Sequence, residues 1–312
     1  MRTDTVAWRQ DSGIVALLED RWDIEGTTRS RCSSSGVYVR KDSTWTSVRL
    51  GWGRELCSES VFRGSVRGNS AGTEGVLESG GRLLRWDFLS GTLTEVHVRG
   101  VPNPTLPAWT PDDRLLVVSR QDGKGGDHVY LVNADGSGAH RFAAVPGHRI
   151  VSPAAMAPGL DRVALAVVGL PAVASGGLQE SETEIIIATR EEVSEAVAIG
   201  KDPAWSPTGE LIAFTSLESR EKQDSSWRLI VAGVHLVTPR GAATQQLVGG
   251  FLEVSGYPQG SGIPGGPLIW RPDGTQIAFV MVGPSGGVPS IVDIADGTGQ
   301  VIPLARPSPV RQ

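Results

Sequence analysis

The chain has 312 residues and a net charge of −5, and 39% of its residues are hydrophobic. This length fits two average domains or one large all-β domain, and the apolar content can fill a core. The weakly acidic balance argues against sequence-independent nucleic-acid binding, and no apolar stretch approaches the roughly 18 residues of a membrane span.

One phrase recurs along the chain and consists of Trp-x-Pro, a tight turn and an apolar strand. The proline fixes φ in the turn and a following glycine supplies positive φ, so each copy predicts two strands joined by a short turn. Self-similarity with a period of about 20–50 residues indicates a solenoid, a propeller or an array. In chain order the copies are Ala7–Leu17, which is looser, Ala108–Val118, Ala204–Phe214 and Ile269–Phe279.

Strands and turns after the second of these copies indicate four strands per repeat. The strand Val129–Val132 is followed by a hairpin turn at Asn133–Gly136 and a further strand at Ala139–Phe142. Four strands in about 50 residues is the content of a propeller blade, and it argues against a pair of β-sandwiches or a parallel β-helix. Wide intervals between copies predict degenerate blades at Glu74–Val98 and Val151–Ile199.

We therefore predict an all-β fold, a single β-propeller with six blades of four antiparallel strands. The ring is expected to close between an innermost strand at Thr3–Trp8 and an outermost strand at Gln300–Leu304, or a strand beyond it. The predicted blades span approximately residues 1–52, 53–100, 101–147, 148–200, 201–255 and 256–312.

The repeated phrase resembles the WD40-like repeat of TolB-type, LpqB-like β-propellers, Trp-Ser-Pro-Asp-Gly-x-x-Ile-Ala-Phe. The resemblance covers essentially the whole chain and is best at Trp205–Phe214 and Trp270–Phe279. It implies binding of protein partners or an enzyme-accessory role outside the cytoplasm, in a periplasm or at a cell surface. No signal peptide is expected, because Met1–Asp4 runs directly into the first repeat.

The predicted turns divide unevenly between the two faces of the propeller. The first and third turns of each blade share one face and are short, whereas the second turns and the links between blades are long. Long loops on a rigid scaffold commonly carry binding residues, so we predict that this long-loop face binds a partner; the alternative is that the loops are tolerated insertions. The long segments are Arg21–Ser35, Gly51–Thr73, Arg120–Asp127, Gly169–Thr183, Leu217–Ser226 and Gly249–Pro267.

Five residues in or beside these loops are the predicted binding residues, because Trp, Tyr and Arg are enriched at binding hot spots. They are Trp22, Trp52, Arg120, Arg220 and Tyr257. Each of the aromatic residues could equally anchor its loop against the barrel. The tryptophans of the repeated phrase are instead predicted to pack between blades.

No motif predicts a catalytic residue, a metal site or a cofactor. Gly68–Gly72 matches the G-x-S-x-G nucleophile elbow, but no helical pattern follows it. The five histidines lack the spacing of metal ligands. Cys32 and Cys57 fit free thiols or one disulfide, and the Gly-rich segment Gly260–Gly266 is interpreted as a flexible link. The turn at Asn133–Gly136 resembles part of a calcium loop but is better explained as a hairpin.

These observations predict a non-enzymatic binding or scaffold propeller that recognises a protein partner, as part of a larger cell-envelope assembly. The alternative is a propeller-type enzyme, such as a lyase, a lactonase or a glycan-active protein, with its site in the central channel. Predicted innermost strands such as Leu106–Ala108 and Pro267–Ile269 are apolar or small, which favours binding. The identity of the partner, the compartment and the oligomeric state stay open.

Overall fold

Antiparallel strands follow one another because short apolar segments alternate with turns rich in Gly, Pro and Asp. The computed structural model describes the backbone of residues 2–8, 15–23, 31–41, 44–50, 67–79, 81–87, 90, 92–120, 125–170, 183–221, 228–241, 245–254, 259–283, 286–294 and 299–300. Side chains are described within 67–78, 81–87, 90, 92–120, 125–170, 183–216, 232–241, 245–250, 267–281 and 290–294.

Sequential strands pair with one another and form five sheets in this part of the chain. The first sheet contains β1 (Arg2–Trp8), β2 (Val15–Asp23), β3 (Arg31–Lys41) and β4 (Thr44–Leu50). The second contains β5 (Arg67–Gly68), β6 (Glu74–Ser79), β7 (Arg82–Asp87) and β8 (Leu93–Glu95). The third contains β9 (Pro104–Trp109), β10 (Leu115–Ser119), β11 (Asp127–Val132) and β12 (His140–Val145).

The fourth and fifth sheets depart from this four-stranded plan. The fourth contains β13 (His148–Ile150), β14 (Ala155–Met156), β15 (Val163–Gly169), β16 (Glu184–Ala188) and β17 (Ala198–Ile199). Its two short strands β13 and β14 both pair with the inner side of β15. The fifth has eight strands, β18 (Lys201–Trp205), β19 (Ile212–Glu221), β20 (Arg228–Val237), β21 (Gln245–Val254), β22 (Gln259–Trp270), β23 (Gln276–Gly283), β24 (Gly286–Asp293) and β25 (Gly299–Gln300).

The sheets confirm a single all-β propeller built mostly of four-stranded blades, but they correct the predicted number of blades from six to five. The cause lies at Gly249–Pro267, predicted as a long link with a flexible Gly-rich part. There β21 extends to Val254, β22 begins at Gln259, and the two strands pair with each other. The last two four-strand repeats therefore share one sheet.

All repeats pair their two inner strands in the same register. At one position, here named the alanine position, the pairs are Ala7 with Ala16, Arg67 with Val76, Ala108 with Leu116, Ala155 with Ala164, Ala204 with Ala213 and Ile269 with Ala278. At the next, the tryptophan position, they are Trp8 with Val15, Gly68 with Gly75, Trp109 with Leu115, Met156 with Val163, Trp205 with Ile212 and Trp270 with Ile277.

The tryptophans at this position connect neighbouring repeats. Trp205 Nε1 donates a hydrogen bond to the Ala155 carbonyl oxygen of the preceding repeat at 3.0 Å. Trp270 Nε1 donates in the same way to the Ala204 carbonyl oxygen, also at 3.0 Å. Both indoles are buried, and the Arg162 guanidinium lies 4.9 Å from the ring centroid of Trp205. The prediction that these two tryptophans pack between repeats is confirmed.

A second set of contacts joins the repeats at the other end of the innermost strands. Leu106 and Asp202 each precede a proline, and both have positive φ, at 50° and 53°. The Leu106 N–H donates to Glu78 Oε2 at 3.0 Å, and the Asp202 N–H donates to Ser152 Oγ at 3.2 Å. Each irregular residue is thus held by the preceding repeat, which offsets the cost of its backbone conformation.

The apolar core lies in layers between neighbouring sheets. One layer joins Val118 and Phe142 of the third sheet to Val163 and Ile186 of the fourth. A similar layer lies between the fourth sheet and the first half of the fifth. Because each layer takes side chains from two repeats, no repeat buries its apolar surface alone.

The ring closes between the first repeat and the last. Strand β1 packs beside β22, β23 and β24, and β25 pairs with β24 through Gly299 and Gln300. The predicted outermost strand thus begins where expected, while residues 301–304 lie outside the described residues. Within the described part of the chain, no helix has the length and apolarity that a membrane crossing requires.

We expect Trp205→Ala and Trp270→Ala each to lower the free energy of unfolding by about 3–5 kcal/mol, as large-to-small core substitutions do. The loss combines a cavity between two repeats with an unpaired carbonyl in the preceding repeat. Denaturant unfolding measures it, and Arg141→Ala, at an exposed position, is the matched control. Melting of both variants within roughly two degrees of the parent would contradict the assignment.

Deleting residues 299–312 should cause aggregation or a cooperative loss of stability, because β24 would lose its outer partner and expose an open edge. A deletion of residues 305–312, which retains β25, is the control and should stay soluble. Size-exclusion chromatography and thermal melting compare the two. A 299–312 deletion that is as soluble and as stable as the control would refute this role of the terminal strand.

Candidate functional site

A cavity of about 350 Å³ lies among the innermost strands. Its walls come from the alanine and tryptophan positions, namely Arg67, Gly68, Ala108, Trp109, Ala155, Met156, Ala204, Trp205, Ile269 and Trp270. The rest of the lining comes from turn residues, which include Ser70, Pro111, Pro158, Pro207 and Pro272, and from the residues just before the alanine position, Ala154, Pro203 and Leu268. Four sheets contribute to it through β5, β9, β14, β18 and β22, so the cavity lies along the axis of the propeller.

The cavity exists because the alanine position carries small side chains in most repeats. Ala108, Ala155 and Ala204 leave space where larger residues would meet at the axis. The second sheet departs from the pattern at both positions, since Arg67 stands where the others have alanine or isoleucine and Gly68 where they have tryptophan or methionine. One long basic residue therefore lines a cavity whose other walls are small or apolar.

The cavity opens on the face of the short turns, opposite the predicted long-loop face. Pro111, Pro207 and Pro272 are exposed at its rim, and each belongs to the turn between the two innermost strands of its repeat. Sequence reasoning missed this site because β5 has no Trp-x-Pro phrase. The signal that could have found the site is the absence of the Trp-x-Pro phrase from the second repeat, which sets this repeat apart from most of the others.

Arg67 is a buried cation with a nearby carboxylate. Its side chain is 8% exposed, and Nη2 lies 3.6 Å from Oδ1 of Asp202, whose side chain is 15% exposed. Burial lowers the pKa of the Arg67 guanidinium, which Asp202 opposes, and burial raises the pKa of Asp202. Among the described residues, neither Nε nor Nη2 of Arg67 has a hydrogen-bond partner.

Trp109 differs from the other tryptophans of the repeat. Trp205 and Trp270 each donate a hydrogen bond to the backbone carbonyl at the alanine position of the preceding repeat. Trp109 Nε1 is buried and has no acceptor among the described residues. The wall between β5 and β9 therefore contains several buried N–H groups without partners, which is rare in folded proteins.

Ser70, the central residue of the G-x-S-x-G match, is a turn residue. Its N–H donates to Asp113 Oδ1 at 3.1 Å and its Oγ to Asp113 Oδ2 at 3.0 Å, which ties the second sheet to the third. The side chain of Asn69 closes the same turn by accepting from the Thr73 N–H at 2.9 Å. A strand rather than a helix follows, so the geometry of a nucleophile elbow is missing here.

The other carboxylates that the repeats carry also serve their own turns. Asp273 Oδ1 accepts from the N–H and Oγ1 of Thr275, and Asp135 Oδ1 accepts from Ser137. The Asn133–Gly136 segment forms the expected hairpin turn. Within the described residues, no group of three or more His, Cys, Asp or Glu is arranged to hold a metal ion.

The predicted binding residues lie away from the cavity where their positions are described. Trp22 lies near the end of β2, Arg120 directly follows β10, and Arg220 lies near the end of β19, so the ends of three second strands carry them. Trp52 and Tyr257 lie outside the described residues. The structure does not test whether these five residues bind a partner, and this role stays a prediction.

No protein-family model matches the sequence, and no curated protein is detectably similar to it. Solved structures do resemble the fold. A structure assigned as TolB from Agrobacterium tumefaciens has 13% identity and a TM-score of 0.54, over 83% of this chain and 84% of that one. TolB from Acinetobacter baumannii has 14% identity and a TM-score of 0.54, and the match covers 85% of this chain but only 58% of that one.

Propellers of other kinds are about equally similar. A chain of the nidogen/laminin complex has 8% identity and a TM-score of 0.52, over 95% of this chain and 91% of that one. A gluconolactonase from Xanthomonas campestris has 13% identity and a TM-score of 0.50, over 94% and 85%. At these identities the likenesses show the propeller fold alone, and both binding proteins and an enzyme share it.

A double-mutant cycle should show that Arg67 and Asp202 are coupled. Asp202→Asn keeps a residue that tolerates positive φ but leaves a buried cation unpaired, so we expect a loss of about 3–5 kcal/mol. Arg67→Met should also destabilise, and the double variant should be closer to the parent than the sum of the single losses.

The exposed pair Arg82 and Glu95, at 3.7 Å, is the matched control for this cycle. Its coupling should be about 0–1 kcal/mol, because solvent screens surface ion pairs. Denaturant unfolding of both sets measures the difference. An Arg67–Asp202 coupling no larger than that of the control would show that the two buried groups act independently.

Proposed function

We propose that this chain is a non-enzymatic binding propeller that receives a segment of a partner protein in its axial cavity. The observation that carries this proposal is a cavity of about 350 Å³ with apolar and aromatic walls, an exposed rim and one buried cation. This size lies at the lower end of ligand pockets, and a few polar groups in an apolar wall are typical of recognition sites.

The chemistry of the lining supports binding over catalysis. Arg67 is the ionisable residue among the described residues that line the cavity. A guanidinium keeps its charge in proteins, so it can orient an anion but is a poor general acid or base. The alternative, an enzyme with its site in the same channel, has a counterpart in the gluconolactonase of similar fold.

The proposed partner is a protein in an assembly outside the cytoplasm, in a periplasm or at a cell surface. The likeness to two TolB structures and to a chain of the nidogen/laminin complex motivates this setting. The long-loop face, with Arg120 and Arg220 near the ends of its strands, is a second surface that the same partner could contact. The two surfaces lie at opposite ends of the innermost strands and can be tested separately.

Site-specific crosslinking tests the proposal. A photoreactive residue in place of Pro207, at the exposed rim, should crosslink to one defined segment of a partner in the native host, identified by mass spectrometry. With that partner purified, Gly68→Trp should weaken binding about tenfold or more, because Gly68 lines the cavity and a bulky indole in its place would narrow the space for the segment. Its melting temperature should stay near that of the parent.

Arg141→Ala, at an exposed position outside both surfaces, is the control and should leave binding unchanged. Arg120→Ala together with Arg220→Ala tests the long-loop face, and loss of binding in this variant with retention in Gly68→Trp would move the interface to that face. Absence of any crosslinked partner, together with turnover of a sugar lactone that Gly68→Trp abolishes, would overturn the proposal in favour of an enzyme.

A further inference from the structure

The cavity wall formed by β5 and β9 contains three side-chain nitrogen donors that lack a hydrogen-bond acceptor. Arg67 Nε, Arg67 Nη2 and Trp109 Nε1 are buried and have no hydrogen-bond partner among the described residues. Both residues line the axial cavity. A buried donor without a partner costs free energy, so a set of three in one cavity wall is expected to serve an acceptor that arrives from outside.

The geometry of the guanidinium selects the chemistry of that acceptor. Nε and a terminal nitrogen form one edge of the arginine fork, and this edge matches the two oxygen atoms of a carboxylate. Asp202 does not occupy the edge, because its Oδ1 lies 3.6 Å from Nη2 and Nε stays without a partner. The edge is therefore charged and unpaired, and because its atoms are buried, an acceptor reaches it only when the side chain turns toward the cavity.

The charge balance of the cavity favours a single negative charge over a phosphate. Arg67 is accompanied by Asp202, so the pair has little net positive charge to offer a dianion. Burial raises the pKa of Asp202, which makes uptake of a proton easier when a second carboxylate enters. Around this polar edge the walls are apolar, with Ala108, Ala155 and Leu268, so an apolar group beside the carboxylate can be buried.

We infer that Arg67 and Trp109 bind a carboxylate of the incoming partner segment, with an adjacent apolar group against the alanine walls. The inference rests on the proposed function, because it names the chemistry of the segment that the cavity receives. The carboxylate can come from a chain terminus or from an acidic side chain, and both sources would use the same unpaired edge.

Three small probes distinguish these sources by isothermal titration calorimetry. N-acetyl-L-leucine represents a chain terminus, N-acetyl-L-glutamic acid α-amide represents an acidic side chain, and N-acetyl-L-leucinamide is the neutral control. At least one acid should bind about tenfold or more tightly than the neutral amide. Acids that bind no more tightly than the amide would overturn the inference.

Substitutions then connect this selectivity to the named residues. Arg67→Gln should reduce the affinity for the acid about tenfold or more, while Arg99→Gln, at an exposed position, should leave it unchanged. Trp109→Phe keeps an aromatic side chain but removes the indole donor together with part of the ring volume, so it should reduce the affinity about threefold or more even if Arg67→Gln does not fold. Retained affinity in the folded variants would overturn the assignment.

Asp202→Asn separates recognition from a merely structural role of Arg67. If Arg67 only supports the fold, removal of its counter-charge should leave acid binding unchanged or weaken it. If Arg67 binds the acid, removal of a neighbouring negative charge should strengthen binding about threefold or more. A weaker or unchanged affinity in this folded variant would contradict the inference.

These experiments distinguish failure of carboxylate recognition from failure of the proposed function. If a partner still crosslinks at the rim with full yield in Arg67→Gln, the proposal of a binding propeller stands and carboxylate recognition is overturned. Selective binding of the acid probes with no crosslinked partner would retain carboxylate recognition and overturn a protein segment as its source.

Discussion

The packing of each repeat against the one before it is the constraint on which the rest of this structure depends. Trp205 and Trp270 fill the space between two repeats and donate to the carbonyl of Ala155 or Ala204 in the preceding one. Since the apolar layers also lie between neighbouring repeats, the strands become stable only as a ring. A regular register at the axis follows from this, because every repeat must present the same surface to its neighbour.

The candidate site arises where that regularity is broken. In the second sheet Arg67 stands at the alanine position and Gly68 at the tryptophan position, which carry Ala or Ile and Trp or Met in the other repeats. This exchange places a cation beside an apolar cavity, and in the next repeat Trp109 Nε1 lacks the acceptor that Trp205 and Trp270 have. Each change is unfavourable for folding, and local departures from otherwise consistent rules are expected at functional sites. The Gly68–Arg67 exchange thus links fold, electrostatics and proposed recognition.

The sequence by itself determined the repeat, the turns and the class of fold. A tight turn is a local property, since proline and glycine impose their φ values on neighbouring residues only, and the strands around Trp205 and Trp270 follow from it. The number of sheets was not accessible in this way. It depends on whether β21 pairs with β22, and Gly-rich segments such as Gly260–Gly266 carry no side-chain pattern that would predict pairing.

Only the tertiary structure decided where the cavity lies and which residues meet in it. Arg67 and Asp202 come from different sheets and are far apart in the sequence, and closure of the ring brings them to 3.6 Å. Loop lengths predict binding at the opposite face, which stays a prediction, but they could not locate the cavity, because length reports how much chain a connection tolerates and not where the fold leaves space. Space at the axis is set by how small residues from several repeats converge, which is a property of the assembled ring and of no single segment.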